Sequence, residues 1–151
     1  MRWSKLRKLV EDRFCDELKG RVAINSTAYG NCSCGHAWVT LDGQILANFC
    51  TRAYYNEQYL GTASERTKAK YRDQFVIYGE GSRQDFYDSC WDYIHETSVD
   101  EALAETDPVM QAFAVIDKRV GKRRLARIDP SMLHPLARRL YKERMKSQIA
   151  A

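Results

Sequence analysis

Long apolar runs are missing from this sequence, and their absence excludes two classes of protein. Nowhere do apolar residues run together for the roughly 18 positions that a membrane-spanning helix needs. The opening stretch, MRWSKLRKLVEDRFCDEL, carries a charge every few residues and so lacks the apolar core of a secretory signal peptide. We therefore expect a cytoplasmic protein that has no membrane partner.

Proline and glycine are also scarce, with 3 and 8 residues in a chain of 151. With 44% hydrophobic and 29% charged residues, the composition is typical of a globular protein, not of a disordered or fibrous one. The length suits one ordinary domain, so we predict a single globular domain over residues 1–151. The 5 cysteines are an odd number, and we expect them to stay reduced in the cytoplasm.

The familiar catalytic signatures are absent too. The stretch YGEGSRQ has two glycines but neither the lysine nor the spacing of a phosphate-binding loop. There is no Gly-x-Ser-x-Gly elbow and no His-Glu-x-x-His motif. The missing motifs leave enzymatic activity uncertain and favour a non-catalytic protein.

What the sequence does contain is a helical pattern followed by β-rich runs. Apolar residues at steps of three and four predict an amphipathic helix from Ser4 to about Lys19. Three β-rich runs follow, at residues 21–29, 36–41 and 44–51. Asp42 and Gly43 separate the last two runs, and Asp-Gly in this position is a strong hairpin signal. We predict a three-stranded antiparallel meander.

The second half of the chain favours helices. A short helix is predicted at residues 64–73, and the apolar run at 74–79 would make a fourth strand. Further helices are predicted at residues 82–96 and 135–147. One more begins at the cap Ser98, and another begins at Asp107, with Pro108 at the first helical position and an inward-facing apolar seam that reaches Val120. The predicted fold class is α+β: an N-terminal helix, a three- or four-stranded antiparallel meander, and C-terminal helices packed on it.

Cys32, Cys34 and His36 alternate just before the second predicted strand. Zinc takes about four nitrogen or sulfur ligands, and Cys50 on the paired strand could supply the fourth. The spacing lacks the paired cysteines of familiar zinc motifs, however, and a cysteine nucleophile beside His36 is a further alternative. We favour ordinary loop residues and small buried thiols, with no cofactor, over a zinc site or a thiol-dependent enzyme at these positions.

Charge is distributed unevenly along the chain. Residues 1–79 hold 12 basic and 8 acidic side chains, residues 80–115 hold 1 and 9, and residues 116–151 hold 11 and 3. If a helix ran through Gly121, then Arg119, Arg123 and Arg127 would form one basic ridge within residues 118–127. This ridge could bind nucleic acid or pair with an acidic stripe, and we favour pairing. The stripe consists of Asp85, Asp88, Asp92 and Glu96.

Side chains suited to a protein partner are plentiful. Tyrosine and arginine often anchor protein interfaces, and the chain has 9 tyrosines, five of them between residues 54 and 78. Arg138 and Arg139 begin a run of cations that the acidic stripe leaves unpaired, together with Lys142, Arg144 and Lys146. We predict that a partner contacts Tyr54, Tyr55, Arg119, Arg123, Arg127, Arg138 and Arg139.

Four stretches together carry a resemblance to a known family: WSKL, HAWVTLDG, DKRVGKRRL and HPLARRLYKERM. With these pieces in this order, the chain resembles a family of small, uncharacterised bacterial proteins. The resemblance implies no reaction, cofactor or substrate. We therefore predict a binding protein with a protein partner, of an immunity or regulatory type. The alternatives are nucleic-acid binding through residues 118–127 and a metal- or thiol-dependent enzyme that uses Cys32, Cys34 and His36.

Overall fold

The computed structural model describes residues 1–30, 34–61, 74–76 and 79–150. The chain divides into two compact units, one of residues 21–88 and one that joins residues 1–20 to residues 89–151. The helix predicted at residues 64–73 lies outside the described residues. The single domain predicted for residues 1–151 stays a prediction.

The unit of residues 21–88 contains the predicted meander. Its strands are β1 (Val22–Ala28), β2 (Gly35–Leu41) and β3 (Gln44–Cys50), hydrogen-bonded in the order β1-β2-β3. Asp42 and Gly43 form the turn between β2 and β3, with φ angles of 51° and 83°. Two positive φ angles are typical of a type I′ turn, whose twist matches that of the paired strands. The predicted Asp-Gly hairpin is confirmed.

The two faces of the meander differ in burial. Along β2, Ala37, Val39 and Leu41 are buried, whereas His36 and Trp38 are partly exposed. Successive residues of a strand point to opposite faces, so one face belongs to the core and the other carries the histidine and the tryptophan.

Gly35 lets β1 and β2 approach closely at the end of the sheet that holds His36. A Cβ atom added to Gly35 would overlap the backbone carbonyl oxygen of Thr27 on β1. Any side chain at this position would therefore push the two strands apart. The Gly35 N–H also donates to the Thr51 hydroxyl at 3.2 Å, which connects β2 to the residue after β3.

A short helical segment follows β3 directly. Helix α2 (Thr51–Tyr55) continues into a π-helical turn (Asn56–Leu60), which ends at Gly61 in the left-handed conformation. The described part of the predicted fourth strand, residues 74–76, lies beside β3, where the Phe75 N–H donates to the Leu46 carbonyl at 2.8 Å. Within the described residues the sheet has three strands.

Helix α3 (Arg83–His95) begins in this unit. Its predicted cap is confirmed, because the Ser82 hydroxyl accepts from the Asp85 N–H at 3.1 Å and the Asp85 carboxylate accepts from the Ser82 N–H at 2.9 Å. Phe86 packs against Phe49 with ring centroids 5.1 Å apart. The start of the helix is thus fixed by a reciprocal cap and an aromatic contact.

Helix α1 (Trp3–Glu11) belongs to the other unit and is shorter than predicted. The prediction of a helix to Lys19 is wrong because Phe14 leaves the helix and forms an antiparallel bridge with Asp117. The Cys15 N–H donates to the Ile116 carbonyl at 2.7 Å, and the Lys118 N–H donates to the Arg13 carbonyl at 2.8 Å. A long-range backbone pairing therefore overrides the local helical pattern.

The remaining helices of this unit are α4 (Val99–Ala104), α5 (Pro108–Val115), α6 (Lys122–Ala126), a 3₁₀ turn (Pro130–Met132) and α7 (Pro135–Ala150). The Ser98 cap is confirmed, as a reciprocal capping box with Glu101. The Asp107 cap is confirmed as well, since its carboxylate accepts from the N–H groups of Val109 and Met110. Helix α5 nevertheless ends at Val115, before the predicted seam position Val120.

Aromatic side chains fill the centre of this second unit. The ring of Phe113 lies 5.8 Å from that of Phe14 and 5.4 Å from that of Tyr93, and all three side chains are buried. The order of elements confirms the predicted α+β fold class. Within the described ranges, none of the helices has the length and apolar character that crossing a membrane requires.

Candidate functional site

Tyr29, His36 and Cys50 meet at one end of the meander, and we name these three residues the cysteine–histidine cluster. His36 of β2 lies opposite Cys50 of β3 in the strand register. Such cross-strand neighbours have Cβ atoms about 4.5 to 5.5 Å apart. Tyr29 follows β1, and its hydroxyl lies 2.8 Å from His36 Nδ1. Antiparallel pairing thus brings together residues from three different strand ends.

The Tyr29 hydroxyl also lies close enough to the Cys50 thiol for the thiol to affect its pKa. The pKa of Tyr29 is raised, first by burial and then by its proximity to Cys50, while the Arg52 cation acts in the opposite direction. A phenol is already protonated at neutral pH and the raised pKa moves Tyr29 further from ionisation, so its hydroxyl has a proton that it can donate to His36 Nδ1. The hydroxyl therefore lies close to the thiol and within hydrogen-bonding distance of the imidazole.

Two neighbours hold the cluster in place. The guanidinium carbon of Arg52 lies 5.3 Å from the centre of the Tyr29 ring, a cation–π contact. The imidazole of His36 stacks on the indole of Trp38, with ring centroids 4.7 Å apart and planes inclined by 27°. These contacts orient the phenol and the imidazole and keep a positive charge beside them.

The predicted zinc ligands are brought together only in part. His36 and Cys50 lie opposite each other in the strand register, Cys34 is half-buried, and Cys32 lies outside the described residues. In the part of the chain that the structure describes, no three histidine, cysteine or carboxylate side chains are placed to bind one metal ion. Zinc binding by Cys32, Cys34, His36 and Cys50 stays a prediction.

Exposed apolar side chains lie on the helical segment after β3. Tyr55, Tyr59 and Leu60 are 54%, 69% and 59% exposed, and we name them the tyrosine surface. The two tyrosine rings lie side by side with centroids 4.8 Å apart, as residues four positions apart on a helix can. Tyr54, also predicted to contact a partner, is half-buried.

The opposite side of this segment is anchored. Ala53 is buried, and Gln58 Nε2 donates to the Gly79 carbonyl at 3.5 Å. Gly79 packs so closely that an added Cβ would lie 2.6 Å from the Cβ of Glu57. The tyrosine surface is therefore presented by a braced turn.

The basic segment at residues 118–127 does not form the ridge that the sequence suggested. Helix α6 begins only at Lys122, with Gly121 in an extended conformation as its cap, so the assumption of a helix through Gly121 is wrong. Arg119 precedes the helix, Arg123 lies in it and Arg127 follows it directly. All three residues are exposed. Arg123 and Arg127 alone keep the four-residue spacing.

Arg119 binds a carboxylate from its own segment. Asp117 is completely buried, and Arg119 Nη2 lies 2.7 Å from its Oδ2 while Nε donates to Oδ1 at 3.0 Å. The hydroxyl of Tyr93 donates to Asp117 Oδ2 as well. Arg124 pairs with Asp100. The predicted pairing with the acidic stripe is therefore wrong for Arg119, which binds an aspartate outside the stripe.

Several cations of α7 are also engaged inside the protein, contrary to the prediction that they are unpaired. Arg138 donates to the carbonyls of Pro130 and Leu133, and Arg139 pairs with Glu143 at 2.9 Å. Arg144 is only 4% exposed and donates to backbone carbonyls. Its acceptors are the carbonyl oxygens of Val115, Asp117 and Val120. The cations of α7 that face solvent are Lys142 and Lys146.

Sequence reasoning identified neither Tyr29 as a member of a site nor Asp117 as a buried charge, and it counted Tyr59 among the tyrosines of residues 54–78 without predicting it as a partner contact. Tyr29 could have been found from the strand pattern, because pairing of the first two predicted strands places residue 29 near residue 34. Tyr59 could have been found from its four-residue spacing to Tyr55. No local signal distinguishes Asp117 from a surface aspartate, since its burial depends on distant partners.

Comparison with known proteins complements this geometry. The sequence profile of the SF0329 protein family matches residues 2–145, nearly the whole chain. No curated protein and no solved structure matches the chain. The match confirms that the chain resembles a family over almost its whole length, as the four sequence stretches indicated. The chain belongs to the SF0329 protein family.

Proposed function

We propose that this protein binds another protein through the tyrosine surface formed by Tyr55, Tyr59 and Leu60. One observation carries the proposal: three large side chains, each more than half exposed, lie next to each other within six residues. Scattered exposed apolar residues are normal on a soluble protein, but clustered ones mark interaction sites.

Tyrosine suits this role for a physical reason. Its ring contributes a large apolar area, its hydroxyl can form a hydrogen bond, and only two side-chain torsions must be fixed on binding. The contact between the rings of Tyr55 and Tyr59 already restricts both side chains in the free protein. Little further ordering is needed when a partner covers them.

The backbone beneath the tyrosine surface is also held in one conformation before a partner binds. The π-helical turn is held from behind by the close approach of Gly79 to Glu57 and by the hydrogen bond from Gln58. A preformed surface loses less conformational entropy on binding than a flexible loop does. This supports a role of the immunity or regulatory type, in which a fixed surface covers a partner.

Nucleic-acid binding through residues 118–127 has less support. Arg119 and Arg124 are engaged with Asp117 and Asp100, which leaves fewer free cations on this segment than the sequence suggested. Arg123 and Arg127 remain exposed, but the helix that carries them has only five residues. Binding to nucleic acid rests on the cooperation of several phosphate contacts, which a short segment supplies poorly.

The proposal can be tested by site-specific photo-crosslinking in the source cell. A photoreactive phenylalanine analogue would replace Tyr59 in one variant and Met132 in another. Met132 is the matched control, because it is 79% exposed and lies in the other compact unit. We expect position 59 to yield one protein adduct of defined mass, and we expect Tyr55→Ala in the same chain to reduce its amount at least several-fold.

Two outcomes would contradict the proposal. One is identical sets of adducts from positions 59 and 132, which would show collisional labelling. The other is a specific adduct at position 59 whose yield does not change with Tyr55→Ala. An adduct of twice the chain mass would identify the partner as a second copy of this protein.

A further inference from the structure

The cysteine–histidine cluster leads to a separate inference, which does not depend on a protein partner. We propose that Cys50 is a reactive thiol that exchanges with small-molecule disulfides, and that His36 removes the thiol proton through the hydroxyl of Tyr29. The class of ligand is a low-molecular-weight disulfide, and the product is a mixed disulfide on Cys50. The cluster is thus a site of reversible covalent modification.

Cys50 differs from the other described cysteines in its surroundings. Cys15 and Cys90 are 2% and 0% exposed, and burial raises the pKa of both thiols. Such thiols stay protonated and out of reach of a disulfide. Cys34 and Cys50 are both partly exposed, but Cys50 is the one that lies opposite His36 in the strand register and close enough to Tyr29 to raise its pKa.

The geometry of the cluster allows a proton to move in two linked steps. Cys50 lies opposite His36 in the strand register and close enough to the Tyr29 hydroxyl to raise its pKa, and the Tyr29 oxygen lies 2.8 Å from His36 Nδ1. In the tautomer that carries the imidazole proton on Nε2, Nδ1 is an acceptor. The thiol proton can then pass to the Tyr29 oxygen while the phenolic proton passes to Nδ1.

The exchange itself balances in atoms and electrons. The deprotonated sulfur of Cys50 attacks one sulfur of the disulfide, so a new S–S bond forms as the old one breaks. The departing thiolate takes up one proton, which the imidazolium of His36 can return through Tyr29. Cys50 is oxidised to a mixed disulfide, and half of the small disulfide is reduced to a free thiol.

Neighbouring groups favour this chemistry. The guanidinium of Arg52, held over the Tyr29 ring, adds a positive charge to the cluster in which negative charge develops on sulfur. Trp38 stacks on His36 and so fixes the direction of Nδ1. Nucleophile, proton carrier and base thus occur together with a means of orienting the base, which is the general pattern of an activated nucleophile.

The inference is tested by exposing the folded protein to glutathione disulfide and following the mixed disulfide by mass spectrometry over time. Cys34→Ser is the matched control for Cys50→Ser, because both thiols are partly exposed in the same unit. We expect the fast adduct to persist in Cys34→Ser and to disappear in Cys50→Ser. A fast adduct that persists in Cys50→Ser would overturn the inference.

The proton path is tested with two further variants whose folding is checked by urea unfolding. Tyr29→Phe should slow formation of the Cys50 adduct about tenfold or more, as the loss of a proton-transfer group commonly does. His36→Ala should slow it similarly, and added imidazole should restore part of the rate. Imidazole would not rescue a defect that is only structural. Unchanged rates in Tyr29→Phe, or no rescue of His36→Ala, would refute the proton path.

Discussion

Asp117 shows how one side chain can connect distant parts of a chain. Its carboxylate is completely buried, yet it accepts from the hydroxyl of Tyr93 and the guanidinium of Arg119. The surrounding backbone is paired as well, since Arg144 donates to the Asp117 carbonyl at 3.0 Å. A buried charge is tolerated only when its partners compensate for lost hydration, and Tyr93 and Arg119 supply that compensation to the carboxylate.

Substitution Asp117→Asn should therefore lower the free energy of unfolding by about 2 to 4 kcal/mol. We expect the lower part of this range because the side chain of Arg119 is 43% exposed and can be rehydrated. Urea unfolding measures the change. The control is Asp100→Asn, which removes a surface pair with a carboxylate side chain that is 76% exposed and should cost under about 1 kcal/mol. Equal effects of the two substitutions would contradict a structural role for Asp117.

The same carboxylate gives a pH dependence with a defined sign. Burial alone would raise the pKa of Asp117, but the hydrogen bonds from Arg119 and Tyr93 outweigh it and hold the pKa below its ordinary value. A lowered folded-state pKa contributes stability above the unfolded-state value of about 3.9, and this contribution is lost as the pH falls through the folded-state pKa. The stability difference between the wild type and Asp117→Asn should be constant above about pH 5 and should shrink below about pH 4. A difference that grows on acidification would show the opposite sign.

Single buried polar residues were the features that local sequence could not predict. Asp117 and Arg144 lie within strongly charged stretches, where each looks like one more surface charge. Their burial depends on Phe14 pairing with residue 117 and on α7 lying where Arg144 reaches the end of α5. Neither contact can be inferred from the residues next to Asp117 or Arg144 in the sequence.

Among the strands and helices, the pairing of β1 with β2 determines where the cysteine–histidine cluster forms. Gly35 is the residue that allows it, because an added Cβ would overlap the carbonyl oxygen of Thr27. The start of β2 and the residue after β1 are thereby held close enough for Tyr29 to reach His36. The cluster depends on a glycine that takes no part in its chemistry.

Substitution Gly35→Ala should separate the two strands at this end and lower the free energy of unfolding by about 1 to 3 kcal/mol, as overpacking does. It should also slow adduct formation at Cys50, since Tyr29 would move away from His36. The control is Gly121→Ala, where nothing lies within 4 Å of the added Cβ. Urea unfolding and the disulfide assay check both effects, and wild-type behaviour of Gly35→Ala in both would show that the strands tolerate the side chain.

Elements with strong local signals were predicted well from sequence. The Asp-Gly turn, the Ser98 capping box and the Asp107 cap all form as expected, because each is decided by residues within a few positions. Helix α1 was predicted too long, and the helix that was assumed to run through Gly121 begins only at Lys122. The apolar spacing of α1 continues beyond Glu11, but the backbone that follows forms hydrogen bonds with residues 116–118 instead of continuing the helix.

The division of the chain into two compact units bears on the predicted single domain. Tryptophan fluorescence can report on each unit, since Trp38 lies in residues 21–88 whereas Trp3 and Trp91 lie in the other unit. A variant with both Trp3→Phe and Trp91→Phe keeps only Trp38, whereas a Trp38→Phe variant keeps Trp3 and Trp91. If the chain is one domain, the fluorescence midpoint of each variant in urea should coincide with the midpoint of its own circular dichroism transition. Transitions that separate between the two probes would show that the units unfold independently.

The discontinuity of the unit formed by residues 1–20 and 89–151 has a consequence for synthesis on the ribosome. Helix α1 is made first, but the residues that Phe14 and Arg13 pair with are made about one hundred residues later. The meander is different, since β1, β2 and β3 follow one another directly and can pair as soon as they emerge. The strands that carry the cysteine–histidine cluster therefore have their partners early, while α1 must wait for most of the protein to be translated.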